Sequence, residues 1–396
     1  MYSNNDKIID YLTILDHFDD LPDPRVDRTK KHLLLDILFI SLCALLCGAQ
    51  SFVEIADFGR ARIAWFEQYI ELPEGIPTHD TFGRVFARLD PEAFSRCFLC
   101  WVQTIQSSKT DGRIIAIDGK RVRHSFDTAN GNAAIHMVSA WGDDNRMVLG
   151  QTKVDDKSNE ITAIPILLEM LDLSGSIVTI DAMGTQKAIA GQIISHKADY
   201  VLALKGNQTN LHADVKAILD QAIAEQWRDA QDKPITHTCF QKREKDHGRI
   251  ETRTCWAMTC PDWVEDFALW KDLRSIAVIE STRNINGQIS CERRYFLSSL
   301  LPNAKQIGQA VRFHWGIENS VHWVLDMVFR EDECRIRKDN APQNMATLRH
   351  ITLNMLNQEK TTKRSLQRKR LLAAWQPAYL EVLLFGNSQN EKEQNI

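Results

Sequence analysis

Two short apolar runs, Ile114-Ile115-Ala116-Ile117 and Ile177-Val178-Thr179-Ile180, each stop at an aspartate, Asp118 and Asp181. Both runs are rich in β-branched side chains and read as strands. Gly119 follows the first aspartate, and Ala182-Met183-Gly184 lead from the second to a helix that Thr185 is placed to cap. If the two strands lie side by side, both carboxylates project from one edge of a sheet and can share hard cations, which prefer oxygen ligands. A third carboxylate fits the same edge. Glu318 lies on a helical stretch whose Ile317, Val321, Val324 and Val328 can face the sheet, while His314, Glu318 and His322 form a polar line. An Asp after a strand is commonly a turn former and a Glu on a helix is commonly solvated, so the signal resides in the ordered set of three. Two divalent ions held by such a set can activate a nucleophile at a phosphodiester and stabilise the departing oxygen. Among the other acids Glu160 and Asp326 rank next as ligands.

Strand-like runs at 114–117, 135–141, 147–154, 177–180 and 200–204 are joined, in the later part, by amphipathic helical stretches at 161–171 and 185–196. Three strands, a helix, a strand, a helix and a strand is the order of a ribonuclease-H-like α/β domain. A helix over 210–227 and alternation across 236–300 predict a β-rich module inserted before the helix of Glu318, which spans 307–328; a last helical stretch covers 342–356. Towards the N-terminus, helical spacing broken at Pro73, Gly75-Ile76-Pro77 and Asp90-Pro91 predicts an all-helical module. There Thr78 caps a helix carrying Arg84 and Arg88 on its polar side, a shape that suits a DNA groove and equally a solvated face of a packing helix. The expected division is a helical N-terminal domain at 1–108, the core at 109–209 and 304–360, the inserted module at 210–303 and a basic tail at 361–396.

A length of 396 residues exceeds what one core usually holds, and 44% hydrophobic with 25% charged residues excludes a mostly disordered chain. A net charge of −4 gives no general attraction to a polyanion, so nucleic acid must be met by local basic clusters. Cys43, Cys47, Cys97 and Cys100 sit in apolar helical stretches and read as core residues, while His237, Cys239, His247, Cys255 and Cys260 are too irregularly spaced for a favoured zinc site. The longest apolar run, Ile37 to Ala49, is short for a bilayer and reads as a buried helix, and no secretory pattern opens the chain, so no membrane association and a cytoplasmic location are expected.

The segments Ile117-Asp118-Gly119-Lys120, Ile180-Asp181-Ala182-Met183 and His314-Trp315-Gly316-Ile317-Glu318-Asn319-Ser320 resemble the signature segments of DDE transposases. The similarity is strongest to the H-repeat-associated proteins of Rhs elements, among the insertion-sequence transposases. It extends to Gly75-Ile76-Pro77-Thr78-His79-Asp80-Thr81-Phe82, Leu204-Lys205-Gly206-Asn207-Gln208 and His247-Gly248-Arg249-Ile250-Glu251-Thr252-Arg253. The resemblance implies a ribonuclease-H-like core with a β insertion, cleavage and joining of double-stranded DNA at element ends and target, Mg2+ as a pair of ions for which Mn2+ substitutes, and a homodimer or higher oligomer on DNA. Wider relatives carry Tyr, Arg and Lys around the final Glu where this chain has Val311, His314 and Leu325, which leaves Arg312, His314 and His322 as the nearby phosphate donors. Many members of that branch are resident copies, so chemical competence and mobility are separate questions.

Lys120, Arg121 and Arg123 follow the first aspartate, where positive charge suits a scissile phosphate. Lys205 and Asn207 lie just past another strand, and Arg249 and Arg253 in the inserted module; with Arg293, Arg294 and the tail residues Lys363, Arg364, Arg368, Lys369 and Arg370 they supply the local clusters that DNA contact requires. The tail cluster reads equally as a solvated helix face. Trp315 and Trp323 bracket Glu318 and are expected to anchor the helix in the core.

Overall fold

The structure, a computed structural model, describes residues 13–386 other than 107–111, 128–132, 144, 156–157, 247–248 and 286. Nine strands form one mixed sheet: β1 (Ile114–Arg121), β2 (His136–Gly142), β3 (Met147–Lys153), β4 (Ile177–Ile180), β5 (Asp199–Leu204), β6 (His237–Asp246), β7 (Arg249–Thr259), β8 (Ser275–Ile285) and β9 (Gln288–Ser298). Their spatial order is β3-β2-β1-β4-β5-β9-β8-β7-β6. The adjacent strands β1, β4 and β5 run parallel, and the residues of β4 are buried at every position. Burial on both faces is why these runs are continuously apolar instead of alternating.

The β-rich stretch is an insertion in sequence and an extension in space. Strand β9 pairs antiparallel with β5, Val201 opposite Ser298 and Leu204 opposite Tyr295, so the two long hairpins continue the central sheet.

Helices cover both faces. On one, α7 (Glu160–Glu169) packs on β2 and β3, and α8 (Lys187–Ser195) on β5; α9 (Thr209–Ala224) lies against the β8–β9 hairpin. On another, α10 (Ala304–Ile317) crosses β1, β4 and the inserted strands. The residues α10 covers include Ile114, Ile177 and Val201, whereas Ile115, Ile117, Val178 and Ile180 belong to the other core cluster. Period-two alternation then carries Asp118, in step with Ile114, and Asp181, in step with Ile177, to the α10 side.

Residues before the sheet form α1 (Thr13–Asp16), α2 (Leu34–Leu46), α3 (Phe52–Ala61), α4 (Ile63–Phe66), α5 (His79–Arg88) and α6 (Pro91–Ile105), with no strand among the described residues there. Thr78 caps α5 as its sequence suggests, its side chain accepting from the amide of Thr81. Three longer helices come after α10: α12 (Ala341–Gln358), reached through the short α11 (Trp323–Met327), packs against α2, α5, α6 and β3, and α13 (Leu366–Trp375) and α14 (Pro377–Phe385) follow it.

The basic tail is corrected at two of its five cations, while Lys363, Arg364 and Arg368 are exposed. Lys369 and Arg370 are buried at 6% and 4% exposure; Lys369 Nζ donates to the carbonyls of Leu356 and Glu359, and the Arg370 guanidinium donates to that of Leu45. A cation that satisfies helix-end carbonyls in the core is neither a solvated face nor a phosphate contact. Among the described residues, no helix is long and apolar enough to cross a membrane.

Candidate active site

Strand β1 does not stop at Asp118. It continues antiparallel to β2, with Asp118 opposite Ser139 and Arg121 opposite His136, whereas β4 stops at Ile180 opposite Ile117. The aspartate therefore lies where its parallel neighbour ends, and the open edge comes from β4. Asp118 Oδ1 accepts from the amide of Gly119 at 2.9 Å. Asp181 follows Ile180 directly, and its Oδ1 accepts from the amides of Met183 at 3.0 Å and Gly184 at 3.2 Å, an Asx turn that fixes the carboxylate. Thr185 does not cap α8. Its hydroxyl donates to the carbonyls of Asp181 and Ala203, at 3.1 and 2.6 Å, and ties this turn to β5.

Helix α10 gives way at Glu318 to a π-helical turn, Glu318–His322, before α11. Such wide turns are rare and often accompany functional sites. His322 is buried, and its Nδ1 lies 3.4 Å from Glu318 Oε2 and 3.6 Å from Asp118 Oδ2. Among the described residues, Asp118, Glu318 and His322 form the one group whose donor atoms all lie within 4.8 Å of one another. Asp181 joins Asp118 and Glu318 on the wall of a cleft of about 410 Å³, also lined by His314, Trp315, Lys205, Arg293 and Arg294.

The electrostatics suit a cation. Burial pushes the Asp118 carboxyl up to about 7 despite the opposing pull of His322, and the carboxylates of Glu318 and Asp181 add to the rise. Glu318 is held below the ordinary range, first by the neighbouring His322 ring. His314 is lowered by burial; its ring is hydrogen-bonded to the backbone of Thr179, and its buried Nδ1 has no partner. Crowded carboxylates, one of which resists ionisation, are what a divalent ion relieves, so the donor set fits the metal.

Other sequence-predicted residues are placed differently. Lys120 is 10% exposed, with Nζ 2.7 Å from Asp326, 2.9 Å from Glu331 and 3.4 Å from Asp332, so its charge is committed to a nest of acids. This also removes Asp326 from the set of free ligands. Glu160 pairs with His136 at 2.9 Å on the α7 side, the face opposite Asp118. Arg121 is exposed at the end of β1, and Arg123 is exposed beside Asp332. Asn207 donates to the carbonyl of Ala182 and braces the Asp181 turn. Arg253 is paired with Glu244 and Glu251, Arg312 is half exposed with Glu244 at 3.9 Å, and the side chain of Arg249 lies outside the described residues. Trp315 and Trp323 are 40% and 55% exposed, against the expectation of core anchors; the Arg294 guanidinium lies 4.1 Å over the Trp315 ring. Sequence reading missed the position of His322 between two carboxylates, although its spacing of four from Glu318 was the available signal.

The family description "Transposase DDE domain" matches residues 109–355, from just before β1 into the last turn of α12. The chain belongs to the DDE transposase family. A second description, "DDE_Tnp_1-associated", matches residues 15–102, the helices before the transposase domain. "Putative transposase YncI" of Escherichia coli O157:H7 is 42% identical over 95% of this chain and 95% of its own length. "H repeat-associated putative transposase YhhI" of Escherichia coli K12 is 39% identical over 94% of this chain and 98% of its own. A short relative named "Inactive transposase YbfQ", also from K12, is 36% identical over 19% of this chain. Membership in the transposase family carries divalent-metal phosphodiester chemistry as its general activity, and the clustered acids of this transposase domain agree with it.

Proposed function

We propose that the chain is a DNA transposase that cleaves and joins phosphodiester bonds at the ends of its own element, with Asp118, Asp181 and Glu318 as the catalytic carboxylates. The observation that carries this reading is the parallel register of β1 and β4, which sets Asp118 beside Asp181 under the helix that delivers Glu318. These three side chains would hold two Mg2+ ions, which supply Lewis-acid stabilisation of the attacking and departing oxygens. The protein's part is positioning. The Asx turn fixes Asp181, the β1–β2 pairing fixes Asp118, and the exposed Lys205 at the cleft rim meets the DNA backbone.

A second basic surface supports DNA contact. Arg84 of α5 lines a cleft of about 740 Å³ with Arg330, Arg335, Arg337 and Lys338, against the acids Glu54, Asp80 and Glu333, which leaves a local excess of positive charge for a duplex despite the net charge of −4. Paired ends require at least two active sites, so a homodimer or higher oligomer on DNA is part of the reading. The test incubates the purified protein with DNA carrying the flanking ends of its element in Mg2+, Mn2+ or EDTA. Metal-dependent nicked and joined products, lost in Asp118→Asn and in Asp181→Asn with DNA affinity retained, are expected. Nicks without joined products would mean a nuclease; tight binding without scission would mean a silent DNA-binding relative.

A further inference from the structure

His322 sits where a ligand would. Its ring is 6% exposed, it reaches in from the π-helical turn, and its Nδ1 is directed at the carboxylates of Glu318 and Asp118, at 3.4 and 3.6 Å. Those separations are long for N–H···O bonds, which prefer roughly 2.7–3.2 Å. They are close to the roughly 3.0–3.4 Å between neighbouring donor atoms around a divalent ion with bonds of about 2.1 Å. A surface histidine near two acids would approach one of them closely; this one is shared between two, at similar distances. His314, one α-helical turn before Glu318, supports a nitrogen-bearing site, because its buried Nδ1 on the same cleft has no partner while the ring is held by the backbone of Thr179. An imidazole fixed through its other nitrogen is the usual arrangement of a metal-bound histidine, and His314 has it; the Nε2 of His322 is buried with no partner, so its ring meets polar groups on the Nδ1 side, where the carboxylates are.

We infer that the metal centre is of mixed carboxylate and imidazole character, with His322 a direct ligand beside Asp118 and Glu318, and that the chain binds Mn2+ in preference to Mg2+. The inference rests on the metal-dependent reading above and narrows it. Mg2+ demands oxygen ligands and gives up its water reluctantly, whereas a first-row transition ion accepts imidazole nitrogen. His322 therefore acts on the choice of ion and not on the DNA backbone, the role its sequence position suggested.

The experiment uses the full-length protein without DNA, so that binding is read apart from activity. Mn2+ bound to the wild type is followed by electron paramagnetic resonance, with electron spin echo modulation to detect a directly bonded nitrogen, and Mg2+ binding is followed by calorimetry. A nitrogen coupling is expected in the wild type, with Mn2+ bound about tenfold or more tighter than Mg2+. His322→Ala should remove the coupling and weaken Mn2+ about 10- to 100-fold while Mg2+ changes much less. Asp118→Asn should weaken both ions. Bound Mn2+ with no nitrogen coupling would overturn the histidine ligand and leave the carboxylate site standing; no bound ion at all would overturn both. The wild-type spectrum decides the matter even if His322→Ala fails to fold.

Discussion

At Gly184 an added Cβ would lie 2.3 Å from Cγ2 of Ile180 and 2.7 Å from Cδ1 of Ile164. Both isoleucines are buried in the core, and the amide of the same glycine holds Asp181 in place. Gly184→Ala should therefore destabilise the protein by about 1–3 kcal/mol and displace the Asp181 turn. Gly119 is a different case, although its Cβ would come within 2.3 Å of Glu160 Oε1 and 2.6 Å of His136 Nε2. These are ends of side chains that can swing aside at the cost of their own pairing. Chemical denaturation should rank Gly119→Ala as the milder change; an unaltered midpoint for Gly184→Ala would show that Ile180 has room to move. Neither contact is visible in the sequence, where both glycines read simply as turn residues after an aspartate.

Beside the site, a buried charge cluster ties three elements. Lys120 of β1 meets Asp326 of α11 and Glu331 in the loop that follows, and Glu331 accepts from Arg349 of α12. Burial alone would raise Glu331, but the charges of Lys120 and Arg349 outweigh it and hold the carboxyl at about 2, against an ordinary 4.5. Burial lowers His350, next to Arg349, to about 4 from 6.5. In both cases the unfolded chain binds the proton at higher pH than the folded one, so the stability these two groups contribute is lost on acidification. The loss should begin below about pH 6.5 through His350 and grow between about 4.5 and 2 through Glu331. Asp118 and Asp36, raised to about 7 and about 6, contribute with the opposite sign over the upper range, so the cluster is read as the difference in midpoint between wild type and Glu331→Gln in denaturant titrations at pH 5.5, 4.5 and 3.5. Glu331→Gln should flatten the acid part of this dependence and cost about 3–5 kcal/mol at neutral pH, because Lys120 and Arg349 lose their shared counter-charge. A difference between the two midpoints that does not shrink on acidification would be inconsistent with the cluster. The helix periodicity around Glu318 was legible in the sequence, whereas the π-helical turn and this cluster depend on partners far away along the chain.

Across the whole molecule, one apolar core runs from Ile14 in the first described helix to Leu384 in the last. Trp65 and Tyr69 donate to Glu381 at 3.0 Å each, and Arg370 joins α13 to the end of α2. The helices before the sheet and those after it should accordingly unfold together. Tryptophan fluorescence and far-ultraviolet circular dichroism should give coincident denaturation curves, and two separated transitions would show that the N-terminal helices fold as an independent unit. Arg370→Met should cost roughly 1–3 kcal/mol by leaving buried carbonyls unpaired, measured as a shift of the same single transition.

The sequence by itself determined the two apolar strands with their aspartates, the amphipathic helix bearing Glu318 and an order of elements that matches a ribonuclease-H-like core. These features are local: strand and helix periodicities are written in neighbouring residues, and an aspartate after an apolar run needs no distant partner to be noticed. Only the tertiary structure decided that β1 runs past Asp118, that the hairpins extend the central sheet, that Lys120 and Arg370 are buried among partners, and that His322 lies between Asp118 and Glu318. Each depends on which segments meet after long loops close. That choice is made by burial and charge compensation over the whole chain, and a linear pattern does not encode it.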